Sequence, residues 1–359
     1  MSAQPYVRPI LPLVVLLVLP SLPPALHTEI RNSKLETRPP EFWRTAIEKR
    51  KAKSEKRKSG EGHFLQQRKA AEQEPRIRVE VNLVSIIASV LDENGKPVTE
   101  LPRDAFEVYE EGRKQKIEVF EAETDLPLDL VLMVDTSLSV LKELPFIREA
   151  GAHFIRQVLR ADDRLAVYQF SDTVTQLSEF SGDVREQQAA VRLLEAGSGT
   201  SLYDAVFLGS RTLEERPGGR RRVLVLLTDA GETTSHANFE AARRAALRSE
   251  AMTYTILIRA VKSESGRNTA GEHALVTITD VTGGAMFLAD NIAQLTGIFD
   301  RIDLELRTQY RLGYYPEPRP PARSFRRVEL RVKGCGNEAD NKSCTVRYRK
   351  GYFTGGDEF

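Results

Sequence analysis

Residues 130–139 read Leu-Val-Leu-Met-Val-Asp-Thr-Ser-Leu-Ser. An apolar run of strand length ends in one carboxylate, and two hydroxyls follow at alternate positions. A strand buried on both faces of a parallel sheet has this unbroken apolar character. In open α/β sheets, ligands bind outside the carboxyl ends of the strands. The run therefore predicts a central strand that delivers Asp135, Ser137 and Ser139 to the sheet edge as an oxygen-rich loop. Hard divalent cations take oxygen ligands, and Mg²⁺ keeps some positions for water or substrate. A strand followed by a turn that caps the next helix would give the same short pattern, so the motif needs support from the rest of the chain.

That support lies downstream. Residues 197–205, Gly-Ser-Gly-Thr-Ser-Leu-Tyr-Asp-Ala, form a Gly-rich loop entering a helix and carry a further hydroxyl, Thr200. Residues 222–229 are a second apolar strand, ending in Asp229. Two strand-end aspartates and three hydroxyls on three loops make a specific constellation. Over about 127–307 the sequence resembles the von Willebrand factor type A domain with its metal-ion-dependent adhesion site. The resemblance implies that the hydroxyls of Ser137, Ser139 and Thr200 ligate Mg²⁺ or Mn²⁺. It also implies that Asp135 and Asp229 act directly or through water. The third motif reads Thr228-Asp229-Ala230-Gly231-Glu232, with alanine where glycine is usual. The whole chain further resembles von Willebrand-related proteins of acidobacteria, which carry β segments on both sides of the A domain.

Strand and helix patterns alternate between 130 and 306, the mark of a doubly wound, mostly parallel sheet. Strands are predicted at 130–135, 164–170, 223–228, 253–258 and 285–288, with an antiparallel edge strand within 174–180. Helices are predicted at 143–159, 184–195, 202–214, 238–249, 272–281 and 292–306, the fifth stopped by Gly283-Gly284. Alternating apolar residues at 77–83 continue into 86–91, and 106–109 with 117–120 reads as a hairpin. Strand patterns return at 309–315, 325–332 and 345–352. Neither β segment has enough strands for a stable core. The expected architecture is an A domain at 125–307 inserted into a discontinuous antiparallel β-sandwich built from 77–124 and 308–353, with a tail at 354–359.

Residues 1–26 hold a short apolar stretch after Arg8, too short to span a bilayer and fitting a secretory leader or N-terminal anchor. Residues 27–76 read as a charged linker, with a basic run at 44–58 interrupted by Glu48 and Glu55. A solvated helix or disordered segment explains that run; contact with a membrane surface or wall polyanion is the sharper alternative. The leader predicts a secreted, periplasmic or envelope location. Cys335 and Cys344, the two cysteines, flank a turn-rich loop, and export favours a disulfide between them. A net charge of +1 argues against a nucleic-acid partner.

Other motifs fall away. Ser139-Val140-Leu141-Lys142 matches S-x-x-K, but the companion motifs of penicillin-binding enzymes are missing apart from a partial Ser171-Asp172-Thr173. Gly197-Ser198-Gly199 lacks the third glycine of a dinucleotide fingerprint. His153 and His273 fall in predicted helices as packing or surface residues, and Asp204 as a charge at a helix start. The expected function is metal-dependent protein binding, with a partner's Asp or Glu completing the metal shell, and not catalysis. The alternatives are a structural envelope protein with a vestigial site and a metal-assisted hydrolase. The sequence places no general base beside the site, which favours binding.

Overall fold

The structure is a computed structural model describing residues 83–122, 125–259, 268–334 and 344–355. The leader, the linker, the start of the 77–83 strand pattern, Cys335 and the last four residues of the tail lie outside the described residues.

The centre is a six-stranded sheet. Its strands are β5 (Leu128–Asp135), β6 (Arg164–Phe170), β7 (Val174–Gln176), β8 (Arg221–Thr228), β9 (Met252–Ile258) and β10 (Met286–Ala289), in the order β10-β9-β8-β5-β6-β7. All pairs are parallel except β6–β7, the short edge strand. Every residue of β5 is buried because both faces are covered. Leu128, Leu130, Leu132 and Val134 point into one apolar layer with α1 (Leu144–Val158), α2 (Val184–Arg192) and α6 (Leu295–Arg307). Val131 and Met133 point into the other, with α3 (Leu202–Glu214), α4 (Phe239–Arg248) and α5 (Thr269–Thr282). The period of two in the strand thus separates two helix layers. The predicted strands and helices are all present, with α5 starting three residues earlier than 272 and ending at Gly283, φ +79°.

The strand order carries the functional consequence. From β5 the chain runs to β6 and β7 on one side, then crosses back to place β8 on the other. The order reverses between β5 and β8, and such a switch point leaves a crevice at the strands' carboxyl ends.

Two four-stranded antiparallel sheets complete the described fold. One is ordered β13-β1-β11-β4 and the other β14-β12-β2-β3. The strands before the six-stranded unit are β1 (Val84–Leu91), β2 (Phe106–Glu110), β3 (Arg113–Gln115) and β4 (Ile117–Glu121). Those after it are β11 (Tyr310–Tyr314), β12 (Phe325–Val332), β13 (Thr345–Tyr348) and β14 (Gly351–Phe353). Each sheet mixes both groups, and one apolar cluster fills the space between them. Buried Glu110 accepts hydrogen bonds from the Tyr314 and Tyr352 hydroxyls at 2.8 and 2.9 Å and from Arg326 at 2.9 Å. A buried carboxylate satisfied in this way does not carry the penalty of an isolated charge.

Two details depart from the sequence reading. The run 106–120 is not one hairpin: β2 turns through Glu111 and Gly112, both at positive φ, into β3, while β4 joins the opposite sheet beside β11. The run 345–352 likewise divides, β13 pairing with β1 and β14 with β12. Strands that change sheets at a corner carry an uninterrupted β pattern, so local periodicity does not reveal the switch.

The sandwich is joined to the six-stranded unit by ion pairs. Arg347 on β13 pairs with Glu305 on α6 at 2.6 Å, and Glu305 also accepts from the buried Tyr254 hydroxyl at 3.1 Å. Arg349 pairs with Glu250 at 2.7 Å. Because β1 lies between β11 and β13, a chain ending at Arg307 leaves both its edges unpaired. Such a chain is expected to lose slow amide exchange across 84–91; retained protection there would show that the N-terminal strands fold without the C-terminal ones.

Candidate functional site

The switch-point crevice holds the residues singled out in the sequence. β5 ends at Asp135, which is 1% exposed. Its Oδ1 accepts the Ser137 amide at 2.9 Å, an Asx-type turn that lifts the chain out of the strand. Its Oδ2 accepts the Thr228 hydroxyl at 2.7 Å, joining the ends of β5 and β8. The Ser137 and Ser139 hydroxyl oxygens lie 2.8 Å apart. Between them Leu138 points outward, 58% exposed, while Val140 is fully buried and anchors the turn.

Thr200 comes in from the Gly-rich loop. Its amide donates to Thr233 Oγ1 and its carbonyl accepts the Thr233 amide, both at 2.9 Å. That loop is fastened to β5, where the Gly197 amide donates to the Thr136 carbonyl, and to Asp172, whose carboxylate accepts the Ser198 hydroxyl at 2.8 Å and amide at 3.1 Å. The Ser198 bonds, the hydroxyl's first, hold the Asp172 carboxyl below its ordinary range.

Asp229 follows β8, and its Oδ1 accepts the Gly231 amide at 3.1 Å. A Cβ on Gly231 would stand 3.0 Å from Thr200 Oγ1 and 3.2 Å from Asp229 Oδ1, so both oxygens converge on the space beside Gly231. Ala230 sits in the left-handed region at φ +65°, the conformation for which glycine is usual. An alanine there costs about 1 kcal/mol, and its buried methyl in the apolar layer beneath offsets part of this. The turn is thus kept despite the substitution in the motif.

Ser137, Ser139, Thr200 and Asp229 line one cleft of about 350 Å³, with Asp135 buried beneath the turn. Among the described residues no cluster of three or more His, Cys, Asp or Glu is suited to a metal. The arrangement instead offers two carboxylates and three neutral hydroxyls. An all-oxygen donor set with a charge-poor rim fits a hard divalent cation better than a soft one.

Several contributors were not legible in the sequence. Thr228, named in the third motif but given no role there, bonds Asp135. Glu232 and Ser235 cap α3 from a distant loop, Glu232 accepting the Tyr203 amide at 3.0 Å and Ser235 the Asp204 amide at 3.2 Å. Asp204 is more than a helix-start charge: it is buried and accepts the backbone amides of His236 and Ala237. Glu272 and Arg259 line the cleft wall. His153 and His273 stand away from this cleft, on α1 and α5.

Burial pushes the Asp135 carboxyl up to about 6, and neighbouring Asp229 adds to this, while the Thr228 and Ser137 hydrogen bonds oppose it. The native state therefore holds this proton more tightly than the unfolded chain, whose carboxyl titrates near 4. As pH rises from about 4 to about 6, ionisation removes stability, and the full penalty of about 3 kcal/mol stands above that window. In chelator, Asp135→Asn is expected to stabilise the protein by about 1–3 kcal/mol at pH 8 and to have much less effect at pH 4. Urea unfolding at both values checks this; equal effects would mean that Asp135 carries no penalty on ionisation.

Residues 130–232 match the family model of the von Willebrand factor type A domain. No curated protein matches the chain. Similar solved structures include a von Willebrand factor type A protein from Catenulispora acidiphila, 13% identical with a TM-score of 0.45, covering 77% of this chain and 75% of that one. BatB from Bacteroides thetaiotaomicron is 14% identical with a TM-score of 0.39, covering 49% of this chain and 97% of that one. The von Willebrand domain of the type V pilus tip protein Mfa5 from Porphyromonas gingivalis is 14% identical with a TM-score of 0.41, covering 50% of this chain and 95% of that one. None of these findings bears on the resemblance to acidobacterial proteins. Sequence motif, fold and family match agree that the chain carries a von Willebrand factor type A domain, set between the strands of a β-sandwich.

Proposed function

We propose that the chain is an exported protein-binding module whose A domain grips a partner's Asp or Glu through a divalent metal. The observation that carries this reading is the convergence of the Ser137–Ser139 hydroxyl pair and the facing Thr200 and Asp229 oxygens in one cleft above buried Asp135. Ser137, Ser139 and Thr200 would hold Mg²⁺ or Mn²⁺ through hydroxyl oxygens, with Asp135 and Asp229 contributing directly or through water. When bound, the metal supplies positive charge and a coordination position open to an outside carboxylate.

The chain's own residues prepare that position. Asp135, tied to Thr228 and the Ser137 amide, fixes the turn that presents both serines. The Thr233 bonds hold Thr200 at the opposite wall. Three neutral hydroxyls neutralise little of a dication's charge, which favours an anionic partner group. Exposed Leu138, Leu141 and Phe146 follow in the same segment at 58, 47 and 56% exposure. Leu138 lines the cleft itself, and an exposed apolar side chain beside a polar cleft suits contact with a macromolecule better than a small hydrolytic substrate. Envelope attachment would come through the N-terminal segment.

Mg²⁺ or Mn²⁺ at about a hundred times its dissociation constant should raise the melting temperature by about 5 °C or more, because a ligand selective for the native state stabilises it by mass action. Asp135→Ala should abolish the shift while leaving far-UV circular dichroism unchanged. Full-length protein recovered from outside the cytoplasm should retain an envelope protein in Mg²⁺ and release it in chelator. An equal thermal shift in wild type and Asp135→Ala would place the metal elsewhere, and retention in chelator would remove the metal from the binding.

A further inference from the structure

A second concavity, of about 480 Å³, lies between α1 and α2. On α1 its wall is Pro145, Arg148, Glu149, Ala152, His153 and Arg156. These positions recur every three or four residues and so form one stripe along the helix. Gln188 and Arg192, one turn apart on α2, face it. Ala152 contributes little bulk at the middle of the stripe, which leaves the floor open. Three guanidiniums thus line the cleft against one carboxylate, Glu149.

The charges are held in place without being neutralised. Arg148 Nη2 donates to the Leu194 carbonyl, and its Nε is buried without a hydrogen-bond partner among the described residues. Arg156 Nη2 contacts His153 Nδ1 at 3.1 Å, and Asp300 on α6 faces the other side of that ring at 3.6 Å. Gln188 donates to the Ala152 carbonyl at 2.7 Å and fixes the two helices against each other. Elsewhere buried carboxylates recruit arginines: Asp129 takes Arg216 and Arg220, and Glu110 takes Arg326. Arg148, Arg156 and Arg192 form no ion pair among the described residues.

We propose that this cleft binds a phosphate or sulfate ester carried on a larger molecule. Guanidinium is suited to such oxyanions because its planar donors pair with two oxygens at once. The volume falls in the range of pockets that take small organic ligands, about 300–1,000 Å³, and so exceeds what one inorganic oxyanion fills. The site is separate from the metal cleft and does not depend on it.

Titration calorimetry on the full chain at low ionic strength tests this, since salt screens exposed charges. The probes are inorganic phosphate, inorganic sulfate, polyphosphate and dextran sulfate. One or both polymers should bind, and the inorganic ions at least tenfold more weakly. A tenfold preference between the polymers would identify the ester. The double variant Arg156→Glu, Arg192→Glu changes two exposed side chains and should weaken polymer binding at least tenfold with circular dichroism unchanged. The control Arg103→Glu, Arg319→Glu, exposed positions elsewhere, should stay within twofold. Equal losses in both variants would reduce the effect to general charge, and no binding of either polymer would overturn the proposal.

Discussion

The hydrogen bond between Thr228 and Asp135 is the constraint around which the site is arranged. It joins the carboxyl ends of β5 and β8 where the strand order reverses, so it closes the crevice that the topology opens. The same carboxylate uses its other oxygen to set the Ser137 turn. One buried group therefore ties the ends of two paired strands together and sets the direction of the loop that presents both serine hydroxyls. The cost is an anion placed under apolar layers, beside Asp229, which pushes its pKa up to about 6. A cation at this position would offset that cost. The electrostatic tension at Asp135 and the metal-binding proposal are two aspects of one arrangement.

The surroundings make the arrangement stiff. Thr200 is tied through both its backbone groups to Thr233, and the loop around Ser235 is tied to the start of α3 and to buried Asp204. The Gly-rich loop is fastened at Thr136 and Asp172. At the opposite end of the fold, Glu305 receives Tyr254 from the sheet and Arg347 from the sandwich. The sandwich thus meets the six-stranded unit through a partly buried charge pair. Charge pairs of this kind contribute orientation more dependably than they contribute stability.

Much of this was legible in the sequence because it rests on short-range pattern. The apolar run at 130–134 implied a strand covered on both faces, and residues 128–135 are buried throughout. The doubly wound fold class followed from alternating strand and helix periods, and four of the five proposed metal residues line one cleft with the fifth beneath it. What was not legible depends on contacts far apart in the chain. Thr228 and Glu232 stood in the third motif without an assigned role: the first bonds Asp135, and the second, with Ser235, caps a helix that starts some thirty residues earlier. The two β runs that cross between sheets are strand-like on both sides of the crossing, and which sheet each half joins depends on partners far away in the chain. Ala230 departed from the expected motif, yet its left-handed backbone persists because Thr228 Oγ1 accepts its amide and its methyl is buried.

In the proposed site the hydroxyls of Ser137, Ser139 and Thr200 share one divalent cation. Anomalous diffraction from crystals soaked in Mn²⁺ tests it most directly, because the signal locates the metal independently of any effect on stability or binding. A single strong peak is expected in the cleft within about 2–2.5 Å of those three oxygens, with Asp135 or Asp229 touching it directly or through water. A strong peak elsewhere, or none here at saturating Mn²⁺, would contradict it.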